Sequence, residues 1–285
     1  MIQSMTGYGK TISQLPNKKI TVELKSLNSK NLDLNARIPS FYRAKELAMR
    51  SKVSRALVRG KVDFSIYVEI TGEETSSTVN QAVVKEYMRQ LSEISEGDST
   101  ELLKMAVRMP DALKTEREEI DPEEFATILE AIDSAIEEIN NYRSSEGADL
   151  EVDLTKRLAL ITDHLEAVIK IDPERVAAVK ARLLKAVSEL KEQVDENRFE
   201  QELIYYLEKY DITEEVVRLK SHLAYFKETM ESKQSQGKKL GFISQEMGRE
   251  INTIGSKSNY APMQQMVVKM KDELEKIKEQ SLNIL

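Results

Sequence analysis

ITVELKSLNSKNLDLNARIPSFYRAKELAMRSKVSRALVRGKVDFSIYVEI, residues 20–70, is the stretch whose reading decides the fold. Within it ITVELKSL, LDLNARI and KVDFSIYVEI alternate apolar and polar residues with a period of two, as strands with one buried face do. Between the second and third runs, Phe41 to Val58 carries Ala44, Leu47, Ala48, Val53, Ala56 and Leu57 at helical spacing. Turn chemistry stands at Leu15-Pro16-Asn17 and at Asn28-Ser29, so the first seventy residues read as a β-β-β-α-β unit. A helix after Asn80 is expected to pack on that sheet.

From about Ser99 onward nearly every segment reads as helix. Asp121-Pro122-Glu123 and Asp172-Pro173-Glu174 each set aspartate at an N-cap and proline at the first helical position, so two long helices are expected to start there. Asp211 with Glu214 three residues on opens another helix, expected to run through Lys233 and to end at Ser235-Gln236-Gly237. A helix from Lys239 to Asn252 then precedes a Gly255-Ser256-Lys257-Ser258-Asn259 loop, and Pro262 opens a terminal helix reaching Asn283. Its positions Val267, Met270, Leu274 and Ile277 suit packing on another helix, in the same chain or in a partner. The fold class is α+β: a small N-terminal β-sheet domain with packed helices, then a mainly α-helical C-terminal region with long helices.

At 285 residues the chain can build about two cores. It has no cysteine, which removes disulfides, thiolate metal sites and a cysteine nucleophile; any metal needs oxygen or imidazole ligands. MIQSMTGYGK lacks the basic start and apolar run of a signal peptide, and no run approaches ~18 apolar residues, so a cytoplasmic location and no membrane association are expected. The net charge of −7 opposes indiscriminate coating of nucleic acid. Charge is segregated, however: Arg37, Arg43, Lys45, Arg50, Lys52, Arg55, Arg59 and Lys61 stand against a single acid, Glu46, whereas the charges from Glu116 to Glu138 are almost all acidic. Such a strip suits a polyanion; an ordinary solvated helix face is the other reading.

The only imidazoles are His164 and His222. His164 sits among charged neighbours in ITDHLEAV. His222 belongs to a series, Asp211, Glu215, Arg218, His222, spaced four, three and four residues apart and so expected on one helix face. A ladder of surface ion pairs has the same spacing. On the next helix Gln245, Glu246, Arg249, Glu250 and Asn252 alternate with Phe242, Ile243, Met247 and Ile251 as its apolar side, and Glu246 and Glu250, one turn apart, could hold Mg²⁺ or Mn²⁺. Ser256 and Lys257 in the following loop could cradle a phosphate, and Gly237-Lys238-Lys239 adds charge at a helix start. A full Walker A pattern is absent, which excludes it as a sign of nucleotide hydrolysis.

Ser4-Met5-Thr6-Gly7-Tyr8-Gly9, VELKSLNSKNLDLNARIP, Gly60-Lys61-Val62, Arg143-Ser144-Ser145-Glu146-Gly147, DITEEVVRLKSHLAYF, GKKLGFISQEMGREINTIGSKSN and KMKDELEKIKEQSLNI together resemble the YicC family of bacterial endoribonucleases over the whole chain. Lys25 and Lys30 stand where that family usually has arginine, and Gly248 where a polar residue is common. The resemblance implies endonucleolytic, divalent-metal-dependent RNA cleavage in bacterial RNA turnover and a homohexameric ring. It transfers Asp211, Glu214, Glu215, Arg218, His222, Gln245, Glu246, Arg249, Glu250, Asn252, Ser256 and Lys257 as motif positions. The expected division is an RNA-holding α+β domain at 1–98, a helical assembly region at 99–198 and a catalytic helical region at 199–285.

The expected chemistry is metal-assisted hydrolysis of an RNA phosphodiester, with Glu246 and Glu250 holding the ion and Glu215 completing its shell. His222 transfers a proton, and Arg218, Arg249 and Lys257 steady the phosphate. RNA is expected on Arg37, Arg43, Arg50, Arg55, Arg59, Lys61, Lys238, Lys239, Asn252 and Ser256. Two alternatives stay open: metal-independent attack by the RNA 2′-OH, and an adaptor that delivers RNA to another nuclease without cutting it.

Overall fold

The computed structural model describes residues 2–71, 78–94, 97–114, 120–189, 196–232 and 234–285. Strands β1 (Gly7–Gln14), β2 (Lys18–Leu27), β3 (Leu32–Arg37) and β4 (Gly60–Ile70) form a four-stranded sheet in the order β1-β2-β4-β3. The expected turn at Leu15-Pro16-Asn17 joins β1 to β2, with the Leu15 amide bonded to the Lys18 carbonyl at 2.8 Å. β3 and β4 pair in parallel, and a parallel pair needs a crossover. The crossover is a 3-10 turn at Ser40–Lys45 followed by α1 (Glu46–Ala56), so the helix expected from Phe41 begins later and is shorter. Period-two alternation works as read. Ile20, Val22, Leu24, Val62, Phe64 and Ile66 face Met49 and Val53 of α1 in one core, and the intervening residues face outward.

The helix after Asn80 does not pack on this sheet. α2 (Gln81–Ile94) pairs with α3 (Ser99–Ala106), and Val84, Ala106 and Ala112 make a small core of their own under a two-residue ladder, β5 (Thr78–Val79) with β6 (Leu113–Lys114). Having that core, α2 has no apolar stripe left to offer the sheet. The place on the sheet is taken instead by α4 (Pro122–Glu189), whose Ile128, Ala131, Ile132, Ala135 and Ile139 complete the sheet core.

α4 spans 68 residues, about 100 Å. Asp121 opens it as expected, its carboxylate accepting the Glu123 amide at 3.1 Å. Asp172-Pro173 does not open a second helix: Pro173 lies inside α4. Proline there forgoes the bond to the Ile169 carbonyl, a cost of about 3 kcal/mol. Packing on both sides offsets it, since Val168 and Val179 are buried and Arg175 is anchored to Asp172 at 2.7 Å.

The second half of α4 supplies Leu154, Leu158, Ile161, Leu165 and Val168 to a second core with α6 (Thr213–Met230), α7 (Gly237–Lys257) and α8 (Ala261–Ser281). The end expected for α6 at Lys233 lies outside the described residues. Val267, Met270, Leu274 and Ile277 of α8 are buried within this chain, so the heptad-like positions pack internally. α5 (Glu196–Lys209) runs beside the last part of α4; among the described residues none between 180 and 210 is buried.

The two cores are stitched together around the middle of α4. Ser4 donates to the Arg143 carbonyl at 3.0 Å, Met5 to Asn283 at 2.7 Å, Leu285 to Gln3 at 2.9 Å and Gly237 to Leu285 at 2.8 Å. Backbone can pass this close only where a side chain is missing: a Cβ on Gly147 would lie 2.1 Å from the Ile2 carbonyl oxygen. Gly147→Ala therefore costs about 1–3 kcal/mol by overpacking. Gly241, a helical glycine with open space where its Cβ would be, is the matched contrast: Gly241→Ala gains about 0.5–1 kcal/mol. Urea midpoints of the two variants check this pair; equal midpoints would remove the close approach as a constraint.

Candidate functional site: a polar seam between two helices

α6 begins after Asp211, whose carboxylate accepts the Thr213 amide at 3.1 Å and the Thr213 hydroxyl at 2.7 Å. Those bonds, the hydroxyl foremost, hold the Asp211 carboxyl below its ordinary pKa against a smaller opposing effect of burial. The capping role expected of Asp211 is thus present, although Asp211 stands one residue before the N-cap, Ile212. α7 runs the other way beside α6. Lys257 in its last turn reaches Glu215 in the first turn of α6 at 2.7 Å and the Asp211 carbonyl at 2.8 Å. Lys239, early in α7, lies over the Tyr225 ring late in α6, 4.6 Å from its centroid.

Two residues seven apart on a helix share a face, about 10 Å along it. His222 is seven residues after Glu215 on α6, and Glu250 is seven before Lys257 on α7. Because the helices are antiparallel, both steps lead in the same direction from the Glu215–Lys257 pair. His222 and Glu250 are thereby carried to the same level of the seam, within about one turn. His222 is half-buried and Glu250 is only 8% exposed. Glu246, one turn further up α7, is paired with exposed Arg249 at 3.0 Å, and Arg218 is paired with Glu214 on the solvent side of α6.

Glu215 is buried to 6% exposure, and only one of its oxygens is used; the other, Oε2, has no hydrogen-bond partner among the described residues. Burying a carboxylate this far is costly unless a cation answers it, and Lys257 is that cation. Glu215 is therefore not brought to Glu250 and Glu246, which lie about two and three turns up α7 from Lys257. Among the described residues no three carboxylate or imidazole groups converge. An ion shell made of Glu215, Glu246 and Glu250 does not close within one chain. What remains is the one-turn pair Glu246 and Glu250, a two-carboxylate arrangement that suits Mg²⁺ when water and phosphate oxygens fill its other positions.

The expected phosphate-cradling loop is helix. Gly255, Ser256 and Lys257 form the last turn of α7, and the Ser256 hydroxyl is spent on the Thr253 carbonyl at 2.9 Å. Gly255 and Gly248 are packing glycines: their Cβ atoms would meet Val267 at 3.0 Å and Leu274 at 3.3 Å, so α8 sets both. Phe242, expected on the apolar side, is 58% exposed. Lys238 and Asn252 are exposed and remain open to solvent, whereas the first amide of α7 is used by Leu285.

The basic strip is divided by the fold. Arg50 donates to the Leu34 carbonyl at 2.8 Å and Arg59 to the Ser29 carbonyl at 2.9 Å, so both tie the crossover to the sheet. Lys52 pairs with Asp133 at 2.7 Å and Lys45 lies over the Phe125 ring. Arg37, Arg43, Arg55 and Lys61 are exposed, with Arg37 and Lys61 on the sheet rather than on the helix.

Two arginines outside the expected set matter here. Arg175, 3% exposed, bonds Asp172 and donates to the Lys257 carbonyl at 3.2 Å, so α4 clasps the end of α7 that carries the Lys257 ammonium. The i,i+3 spacing of Asp172 and Arg175 was the available signal, hidden by the helix-start reading of Asp172-Pro173. Arg143, 2% exposed and with no acid beside it, donates to Ser26 at 2.5 Å and to the Met5 and Arg59 carbonyls at 3.4 Å; burial holds its pKa below the usual value.

Two family models match the chain: Endoribonuclease YicC-like, N-terminal region, over residues 2–152, and Endoribonuclease YicC-like, C-terminal, over residues 168–285. The seam lies in the second match and the sheet in the first. A Clostridioides difficile (strain 630) protein named Probable endoribonuclease YicC is 36% identical over 293 residues, covering 100% of both chains. A Haemophilus influenzae protein of the same name is 26% identical over 287 residues, again covering 100% of both.

The Asp211 carboxyl provides a pH signature of the seam. Its folded-state pKa is depressed, so its contribution to stability is present above the ordinary carboxylate value and is lost as pH falls through the folded value. Asp211→Asn is expected to lose less stability than the unaltered chain between about pH 6 and about pH 2.5, where acid groups titrate. Parallel urea midpoints against pH for the two proteins would count against the cap.

Proposed function

Since the chain belongs to the YicC-like endoribonuclease family, we propose that it cuts RNA internally at phosphodiester bonds and that the α6–α7 seam carries the chemistry. What supports this most is the Glu215–Lys257 pair across the antiparallel helices, from which the seven-residue spacing on each helix sets His222 and Glu250 at the same level of the seam, two turns away. An imidazole half-open to solvent can move a proton at the attacking or leaving oxygen. Arg218 and Arg249 are exposed and held only by surface glutamates, so both can turn to a phosphate at little cost. Lys257, held by Glu215 and the Asp211 carbonyl, adds positive charge at the end of the seam, two turns from His222.

Glu246 and Glu250 would hold a divalent ion, which would lower the pKa of a bound water and offset phosphoryl charge. Glu215 belongs to Lys257 in this scheme rather than to the ion. The reaction would serve bacterial RNA turnover in the cytoplasm, in a homohexamer. No helix among the described residues is long and apolar enough to cross a membrane. Exposed Leu184, Ile204 and Tyr205, on the α4–α5 arm, are apolar surface suited to contacts between subunits.

One observation favours a second reading. No three ligand groups converge among the described residues, while an imidazole and an ammonium share the seam. In this route His222 would act as acid or base for attack by the RNA 2′-OH, and Lys257 would have to leave Glu215 and swing along the seam to steady the phosphorane charge. Product ends distinguish the two: a 5′-phosphate with full chelator inhibition supports hydrolysis, and a cyclic phosphate with chelator-resistant cleavage supports the second route.

His222→Ala is expected to slow cleavage of a labelled RNA in Mn²⁺ by about 10²–10⁴-fold. Binding of the same RNA should persist in this variant. Full activity in His222→Ala and in Glu250→Gln would remove the seam from the mechanism; RNA binding without cutting by the purified unaltered protein, across several metals, would make it an adaptor.

A further inference from the structure

The sheet has two faces, and only one is used. α1 and α4 cover the face of Ile20, Val22 and Leu24, and among the described residues no helix packs on the other. That outer face carries Tyr8 of β1, 40% exposed, and Tyr67 of β4, 52% exposed. The packing of the SMTGYG segment accounts for its other residues. Ser4 and Thr6 are hydrogen-bonded to each other, Thr6 also to Glu146, and the Cβ of a residue at Gly9 would lie 2.2 Å from the Ala135 carbonyl oxygen on α4. Tyr8 alternates to the opposite side and supports no core. Its hydroxyl donates to Glu23 at 2.9 Å and the Lys25 ammonium lies over the ring, 5.6 Å from its centroid, so the ring is held in place with its other face to solvent.

Register places the two rings. Tyr8 is opposite Lys25, Lys25 is opposite Asp63, and Tyr67 is four residues further along β4. Two strand spacings across and four residues along put the rings about 16 Å apart. Between and around them the acids are mostly answered: Glu23 pairs with Lys25 at 3.1 Å, Glu69 with Lys19 at 3.7 Å, and Asp63 accepts from Asn35 at 2.9 Å. Lys10, Arg37 and Lys61 share this face and form no ion pair among the described residues, although Asp33 stands opposite Lys61 in the register. The chain as a whole is acidic, yet this face offers cations that have not been neutralised and two flat rings.

We infer that the outer face of the β1-β2-β4-β3 sheet is a docking surface for single-stranded RNA, with Tyr8 and Tyr67 stacking on two separate bases and Lys10, Arg37 and Lys61 contacting the phosphates. Unpaired bases present π-faces that any aromatic ring can take, and a flat sheet holds such rings at fixed spacing. Recognition of this kind is tolerant of sequence. It also assigns RNA holding to the sheet surface rather than to the crossover, where Arg50 of α1 and Arg59 just before β4 are committed to backbone carbonyls. The inference rests on the reading of the chain as one that acts on RNA, but its test is binding and is independent of cleavage.

The probe is a fluorescein-labelled oligouridine made wholly of 2′-O-methyl nucleotides, in the presence of chelator, titrated with the full chain and followed by anisotropy. Tyr8→Ala with Tyr67→Ala should weaken binding by at least about 10-fold, since a stacked base contributes that much or more. The double phenylalanine variant, which keeps both rings, should bind within about 3-fold of the unaltered chain on the same stacking argument. Arg37→Gln with Lys61→Gln should flatten the dependence of affinity on salt by about 0.7 for each phosphate no longer neutralised. Melting temperature and circular dichroism should be unchanged in all, because these side chains are exposed. Undiminished affinity in the double alanine variant overturns the inference, as does a loss that phenylalanine fails to restore. So does a change in oligomeric mass by light scattering without a change in affinity, which would make the face a contact between copies. A His222→Ala protein that no longer cuts but binds through the tyrosines leaves this inference standing; an uncut RNA that also ignores the tyrosines overturns both.

Discussion

One helix has to satisfy two cores. α4 presents Ile128 to Ile139 to the sheet and Leu154 to Val168 to the C-terminal helices, and its 3.6-residue period must deliver an apolar stripe to both without a break. Between these stretches the stripe is interrupted by Arg143 and Gly147. There α4 stops packing on side chains and starts packing on backbone, as residues 2–5 and 282–285 run across it. A guanidinium in this position has no carboxylate to answer it; the Ser26 hydroxyl and two carbonyl groups do so instead. Because those acceptors come from the chain start, the β2 end and the turn before β4, a single buried charge ties three separate parts of the N-terminal unit to the helix.

The seam depends on the same helix at a second point. Arg175 reaches the carbonyl of Lys257, Lys257 reaches Glu215, and Glu215 begins the face on which His222 stands. Arg175 and Glu215 in this series are buried, while Lys257 and His222 are half-buried. Burial gives the charges a low-dielectric setting in which pairing is strong, at the cost of desolvation that only good geometry repays. Candidate chemistry thus sits at the edge of the core rather than on a solvated helix face.

How far this was legible varies with the kind of signal. The strands and the single crossover helix followed from period-two and helical patterning, because a one-sided sheet writes its exposure directly into alternate residues. α7 and α8 were legible for the same reason, apart from their ends and from Phe242, which faces solvent instead of the apolar side. Pro173 misled because proline is equally at home at the start of a helix, and only the tertiary contacts of Val168, Arg175 and Val179 override that preference. Gly255 misled because glycine before serine and lysine suits a loop, whereas here the missing side chain makes room for Val267. At the site, the spacing of Glu215 and His222 on one face was readable, being local. The pairing of Glu215 with Lys257 was not, since it joins residues 42 apart through the antiparallel contact of two helices. Nor could sequence separate those arginines of the basic strip that bind carbonyl groups from those left in solvent.

Pro173 has a mechanical meaning beyond its cost to the helix. A rod of continuous hydrogen bonds resists bending evenly, and deleting the bond to the Ile169 carbonyl makes one turn more compliant than the rest. Beyond Val179 no described residue of α4 or α5 is buried, so that arm has little to lean on. Arg175, however, fastens the chain to the end of α7 within two residues of the weak point. Force applied to the outer arm is therefore not absorbed there alone; the Arg175 guanidinium carries it to the Lys257 end of the seam, beside a second link from the Tyr260 hydroxyl to Glu174.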